Sequence, residues 1–252
     1  MNLDPVKDKV RERYSKIAEG EIKNCCDDTT NSCESVSITD TMTEKYSAAD
    51  LEGIPEEANL GLGCGTPTAF VDLHEGETVL DLGSGAGIDV FIAAKRVGPT
   101  GRAIGVDMTT EMIKKARENA RKVKLDNVEF RLGEIENLPV EHGTIDRVIS
   151  NCVINLVPNK EKAFREIYRV LKAGGSFVVS DIVSIGEIPE AIRQDLELWA
   201  GCVAGAIRKE EYLSTIKQSG FENISVLSEK TYDYMKTGSY ALASVTVRGE
   251  KK

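Results

Sequence analysis

Thr78-Val79-Leu80-Asp81-Leu82-Gly83-Ser84-Gly85-Ala86-Gly87 is the stretch that decides the fold. An apolar run ends in three glycines at alternate positions, and the apolar stretch Ile88–Val97 follows. This order predicts a buried strand over Thr78–Leu82, a tight glycine turn and a helix over Ile88–Val97. Glycines at a strand-to-helix turn let a ligand approach the backbone closely, next to the free N–H groups of a helix start. The spacing is G-x-G-x-G. Dinucleotide-binding turns place the third glycine one residue later, so the spacing disfavours a pyrophosphate ligand.

Working outward, strands and helices alternate. Arg102–Asp107 reads as a strand and Thr110–Val123 as a helix, with Thr109 or Thr110 as its cap. Val128–Leu132 and Ile145–Asn151 read as strands. A helix over Glu161–Leu171 is expected to stop at Gly174-Gly175, before a strand over Ser176–Val183. Pro189–Trp199 and Glu210–Ser219 read as helices. Ile224–Tyr232 and Ala241–Val247 read as closing strands, paired antiparallel. The expectation is a doubly wound, mainly parallel seven-stranded α/β sheet of Rossmann-like form. Its ligand-binding core would span residues 46–183. Residues 1–45 would form an N-terminal helix and a mobile cysteine-bearing segment, and residues 184–252 substrate-site helices and closing strands.

The chain has 252 residues, a net charge of −9 and a sequence pI of about 5.0. An acidic surface argues against nucleic acid or an anionic membrane as partner. No apolar run approaches the roughly 20 residues that span a bilayer. Met1 to Arg13 is charged and lacks the apolar centre of a secretory signal, so the expected compartment is the cytoplasm.

The six cysteines are Cys25, Cys26, Cys33, Cys64, Cys152 and Cys202. No C-x-x-C pair occurs, and His74 and His142 stand far from any cysteine in sequence, so the spacing is not that of a zinc site. A buried, inert thiol is the ordinary reading of any one of them. Three carry a further signal. Cys64 lies between Gly63 and Gly65, which should leave its sulfur open. Cys152 follows the fourth strand, on the rim where open α/β sheets bind ligands. Cys202 lies in the small-residue stretch Gly201–Ala206 at a helix end. Three sequence-distant thiols suit a soft, thiophilic centre.

The glycine turn, the acid Asp81 before it and Asp107 at the next strand end resemble motifs I and II of class I S-adenosylmethionine methyltransferases. The resemblance implies that Asp81 lies near the methionine amine. Gly83, Ser84, Gly85 and Gly87 would form the turn, and Asp107 with Met108 would bind the ribose. Glu134, Ile135 and Glu136 would cover the adenine, with the particular contact open among the three, and Asn151 would complete the pocket. Gly61–Pro67, Ser150–Leu156 and Trp199–Ala206 further resemble the arsenite methyltransferases. That resemblance implies trivalent arsenic, arsenite or methylarsenite, bound as a thiol adduct by Cys64, Cys152 and Cys202. It also implies an N-terminal cysteine, Cys25, Cys26 or Cys33, that joins catalysis through a disulfide, with thioredoxin or glutathione as reductant. The expected function is arsenite methylation in arsenic detoxification. The alternatives are a small-molecule C- or O-methyltransferase of the same fold, or a non-enzymatic metalloid-binding protein.

Overall fold

The computed structural model describes residues 4–22, 46–237 and 240–252. Seven strands form one sheet in the order β3-β2-β1-β4-β5-β7-β6. They are β1 Thr78–Leu82, β2 Arg102–Asp107, β3 Val128–Leu132, β4 Ile145–Asn151, β5 Leu171–Gly186, β6 Glu222–Thr237 and β7 Tyr240–Glu250. β1 to β5 run parallel, and β7 is inserted antiparallel between β5 and β6. The strand order reverses between β1 and β4, which opens a crevice at their carboxyl ends.

Alternation along β1 builds the two faces. Leu80 and Leu82 point into one apolar cluster with Phe164 and Phe177, and Val79 into the opposite one with Phe91 and Phe130. Burial of each such side chain stabilises the fold by about 1.5–3 kcal/mol.

The described helices are α1 Pro5–Glu19, α2 Ala48–Leu51, α3 Ile88–Val97, α4 Thr110–Val123, α5 Lys160–Val170, α6 Glu190–Arg193, α7 Leu196–Ala200 and α8 Lys209–Gln218. α1 starts at Asp4, whose carboxylate accepts from the Val6 N–H, and ends at Gly20 in the left-handed region. Among the described residues no helix is long and apolar enough to cross a membrane.

Three expectations need correction. Pro189–Trp199 is not one helix. It breaks at Gln194, because the Asp195 carboxylate accepts from Glu197 N and Leu198 N and starts a new helix. α5 is stopped not by Gly174-Gly175 but by Leu171, which is extended and pairs with Ile145, so β5 begins earlier than Ser176. Thr109 occupies the cap position of α4 without a capping side-chain bond. The segment 24–40, expected to be mobile, and its Cys25, Cys26 and Cys33 lie outside the described residues.

Candidate functional site

The glycine turn is built from backbone that other residues adopt with difficulty. Gly83, Gly85 and Gly87 hold φ at +65°, +49° and +100°. A Cβ on Gly83 would stand 2.5 Å from Val153 Cγ2. The Asp107 carboxylate at the end of β2 clasps the turn: Oδ2 accepts from Gly85 N at 3.0 Å and Oδ1 from Thr109 N at 2.8 Å. The Thr109 hydroxyl and Met108 N also bond to this carboxylate, so local donors orient it on every side.

Over this turn lies a cleft of about 460 Å³. Asp81, Asp89 and Asp107 all line it and all are buried deeply enough that desolvation is the first cause raising their pKa. Asp89 reaches about 6, and Asp81 is pushed well above the usual carboxylate range, with Asp89 and Asp107 adding like charge. A cation in the cleft would offset that repulsion and hold the carboxylates ionised, so the lining favours a cationic ligand. Tyr46 closes this end, its hydroxyl donating to Asp89 Oδ2 at 2.9 Å.

At the other end, Glu134, Ile135 and Glu136 line the cleft. Helix α1 lies over them. Lys7 donates to Glu134 at 2.8 Å and also pairs with Glu136, while Glu136 Oε1 accepts from Asn159 N at 3.1 Å. Both carboxylates are therefore engaged within the protein, which leaves the largely buried Ile135 to offer an apolar surface to the cleft.

The three sequence-distant thiols meet beside this cleft. Cys152 Sγ lies 3.7 Å from Cys202 Sγ, and Cys152 also hydrogen-bonds Cys64. All three are free and buried, at 3%, 4% and 7% exposure for Cys64, Cys152 and Cys202. The expectation that flanking glycines leave Cys64 open is therefore wrong. Gly63 and Gly65 are bare because Asn151 and Ser180 press on them: a Cβ there would stand 2.5 Å and 2.6 Å from those side chains. The thiols are packed against one another and do not yet surround a common point. Among the described residues no group of three His, Cys, Asp or Glu side chains is arranged to hold a metal ion.

Their ionisation is graded. Hydrogen bonds with Cys202 and Cys64, in which Cys152 is the donor, push the Cys152 thiol well up. The same bond, together with Asn155 and Tyr14, draws Cys202 down, and burial raises Cys64. Cys202 is thus the thiol readiest to ionise.

Sequence reasoning missed the layer beneath. Asp181, on β5, accepts from the Tyr212 hydroxyl at 3.1 Å, and burial raises its pKa to about 7. Lys160 donates to the carbonyls of Asn155 and Val157 and is drawn down to about 8 by burial. Asn155 donates from Nδ2 to the Cys202 carbonyl at 3.2 Å. The carboxylate of Asp181 within the apolar run Phe177–Val183 was the available signal.

A seven-stranded sheet with an antiparallel β7, a glycine turn after β1 and an acid closing β2 defines a class I methyltransferase. The family described as "Methyltransferase domain" matches residues 73–220. The arsenite methyltransferase of Halobacterium salinarum is 45% identical over 88% of this chain and 59% of its own length. The human arsenite methyltransferase is 35% identical over 79% of this chain and 55% of its own length. The crystal structure of an arsenic(III) S-adenosylmethionine methyltransferase from Chlamydomonas reinhardtii superposes with a TM-score of 0.72 at 34% identity, covering 79% of this chain and 71% of that one. The chain belongs to the arsenite methyltransferase family. It spans a little over half the length of these two curated relatives.

The cleft fits S-adenosylmethionine on the chemistry of its lining. The buried acidic end suits a ligand carrying an ammonium and a sulfonium, and Asp107 sets a carboxylate at the end of β2 that lines the cleft, the place where a ribose diol is met in such folds.

Proposed function

We propose that this chain transfers a methyl group from S-adenosylmethionine to trivalent arsenic held by Cys64, Cys152 and Cys202. The observation that carries this reading is the meeting of three sequence-distant thiols at the edge of a cleft lined by buried carboxylates. When bound, the donor supplies an electrophilic methyl on sulfur.

The chain's residues divide the work. Asp107 accepts the ribose hydroxyls, and Asp81 faces the ammonium of the methionine end. The glycine turn admits the ligand to the backbone, and Ile135 packs on the adenine between the tethered Glu134 and Glu136. Cys202 accepts a hydrogen bond from Cys152, which favours its thiolate, the form that a soft metalloid takes. Each thiol proton leaves with an arsenic hydroxyl as water. Arsenic held by three thiolates keeps a lone pair, so it accepts the methyl without a base removing a proton. Catalysis then rests on alignment.

Methylation oxidises arsenic formally by two electrons. A thiol pair supplies two electrons by closing to a disulfide, and thioredoxin or glutathione reopens it. Cys64 with Cys25, Cys26 or Cys33 is the pair we assign to this step.

Trp199 is the single tryptophan and packs in the same apolar cluster as the three thiols. Arsenite should therefore change its fluorescence saturably. The response should be lost in Cys152→Ser and in Cys202→Ser. A response that persists in both variants would remove the thiols from the site.

A further inference from the structure

The side chain of Asn151, the last residue of β4, joins the two halves of the site. Its Oδ1 accepts from Cys64 N at 3.1 Å and Gly65 N at 3.2 Å. Its Nδ2 donates to Gly65 O at 2.8 Å, to the Tyr46 hydroxyl at 3.2 Å and to Asp89 Oδ2 at 3.3 Å. The next residue in the chain is Cys152. One amide thus grips the backbone that carries the first thiol and, with its other end, a carboxylate of the acidic cleft.

The surroundings preserve this grip. Gly63 leaves the space the amide fills, since a Cβ there would stand 2.5 Å from Nδ2. Asp89 is held from a third side by the Thr68 hydroxyl at 3.3 Å. Asp89 and Tyr46 both line the cleft, so a ligand cation there acts on the partners of Asn151.

We infer that Asn151 is a positioning residue that couples methyl-donor binding to the placement of Cys64, so that a filled acidic cleft tightens the grip on a metalloid that needs all three thiols. This rests on the proposed function. It goes beyond a contact of Asn151 with the donor, because the amide acts on a thiol through the backbone. A metalloid with three exchangeable valences uses Cys64; one with a valence already methylated needs only two sulfurs and should not sense the coupling.

The test compares arsenite and methylarsenite affinities, read from Trp199 fluorescence, with and without S-adenosylhomocysteine. In the parent protein the nucleoside should tighten arsenite by about fivefold or more and leave methylarsenite unchanged. In Asn151→Ala the tightening should vanish and arsenite alone should weaken, while methylarsenite holds. Asn151→Asp keeps the acceptor toward Cys64 and Gly65 but places like charge beside Asp89. It also loses the bond from Nδ2 to Gly65 O, so it should weaken nucleoside-free arsenite less than Asn151→Ala does and lose the coupling. Coupling that survives in both variants, or equal weakening of both arsenicals, overturns the inference. Failure of the parent protein to bind either arsenical would instead overturn the proposed function.

Discussion

The Cys152 and Cys202 sulfurs lie 3.7 Å apart, and both residues hold their backbone at positive φ, +61° and +65°. Cysteine has no short amide or carboxyl group to support that conformation, which costs about 1–2 kcal/mol per residue. Two such residues meeting at one point mark a place where the surrounding structure fixes geometry against local preference. Cys152 N donates to Ser180 O at 2.7 Å, and Cys202 N to Trp199 O at 3.0 Å, so each turn is tied to a rigid element.

A division among the thiols follows. Cys152→Ser and Cys202→Ser should abolish methylation of arsenite and of methylarsenite alike. Cys64→Ser should abolish turnover of arsenite and retain methyl transfer to methylarsenite, which needs two sulfurs, with thioredoxin or glutathione in the assay supplying directly the two electrons that a Cys64 disulfide no longer can. Assays with both substrates decide this, and equal loss in Cys64→Ser would contradict it.

Asp107 lines the cleft with its carboxylate oriented by Gly85 N and Thr109 N. Asp107→Ala should weaken S-adenosylmethionine by about 1.5–3 kcal/mol, the range for hydrogen bonds to a charged group. Calorimetric titration measures it, and an unchanged affinity would remove Asp107 from the ribose site.

Gly83→Ala meets two penalties, a positive φ and a Cβ placed 2.5 Å from Val153. The variant should lose at least about 1 kcal/mol of stability and bind the donor poorly. Adding Val153→Ala should recover only the part that comes from the contact. Complete recovery in the double variant would mean that the backbone conformation carries no strain.

Asp181 gives a stability signature with pH. Its pKa is raised by burial to about 7, above the unfolded value near 3.9. Its contribution is therefore greatest below about pH 4 and is lost as the pH rises through 7. The full loss is at most about 4 kcal/mol. Asp181→Asn removes this titration. The melting temperature of the variant relative to the parent should rise between about pH 4 and pH 8. A difference that stays flat across that window would show that Asp181 is already ionised at low pH.

Much of the fold was legible because local signals agreed. The apolar run of β1 and the glycines after it marked their own boundaries, since a central parallel strand is buried on both faces. β3, at the sheet edge, showed itself by alternation of Val128, Phe130 and Leu132 with Glu129 and Arg131. β5 to β7 run longer than their apolar runs, because antiparallel pairing of β7 with β5 and β6 carries polar residues such as Ser176 and Glu250 into the ladder. The break at Asp195 escaped notice because a capping carboxylate inside a helical pattern resembles an exposed face. In the site, the motif resemblance pointed to Asp81, Asp107 and the three thiols, and the structure puts both acids and Cys152 on the cleft. Tyr46, Asp89 and Asn155 carried no such signal, because their partners lie tens of residues away and meet them only in the fold. Lys160 reads as an ordinary first-turn lysine, and only burial sets it apart.

The proposed reaction puts the methyl group on arsenic held by the thiols. It is read out by S-adenosylhomocysteine formation by the purified protein, with thioredoxin and its reductase or glutathione present, as arsenite is added. Product is expected only with arsenite, in step with the appearance of methylated arsenic, and none in Cys152→Ser. S-adenosylhomocysteine formation that is independent of arsenite, or arsenite that binds and is never methylated, would contradict it.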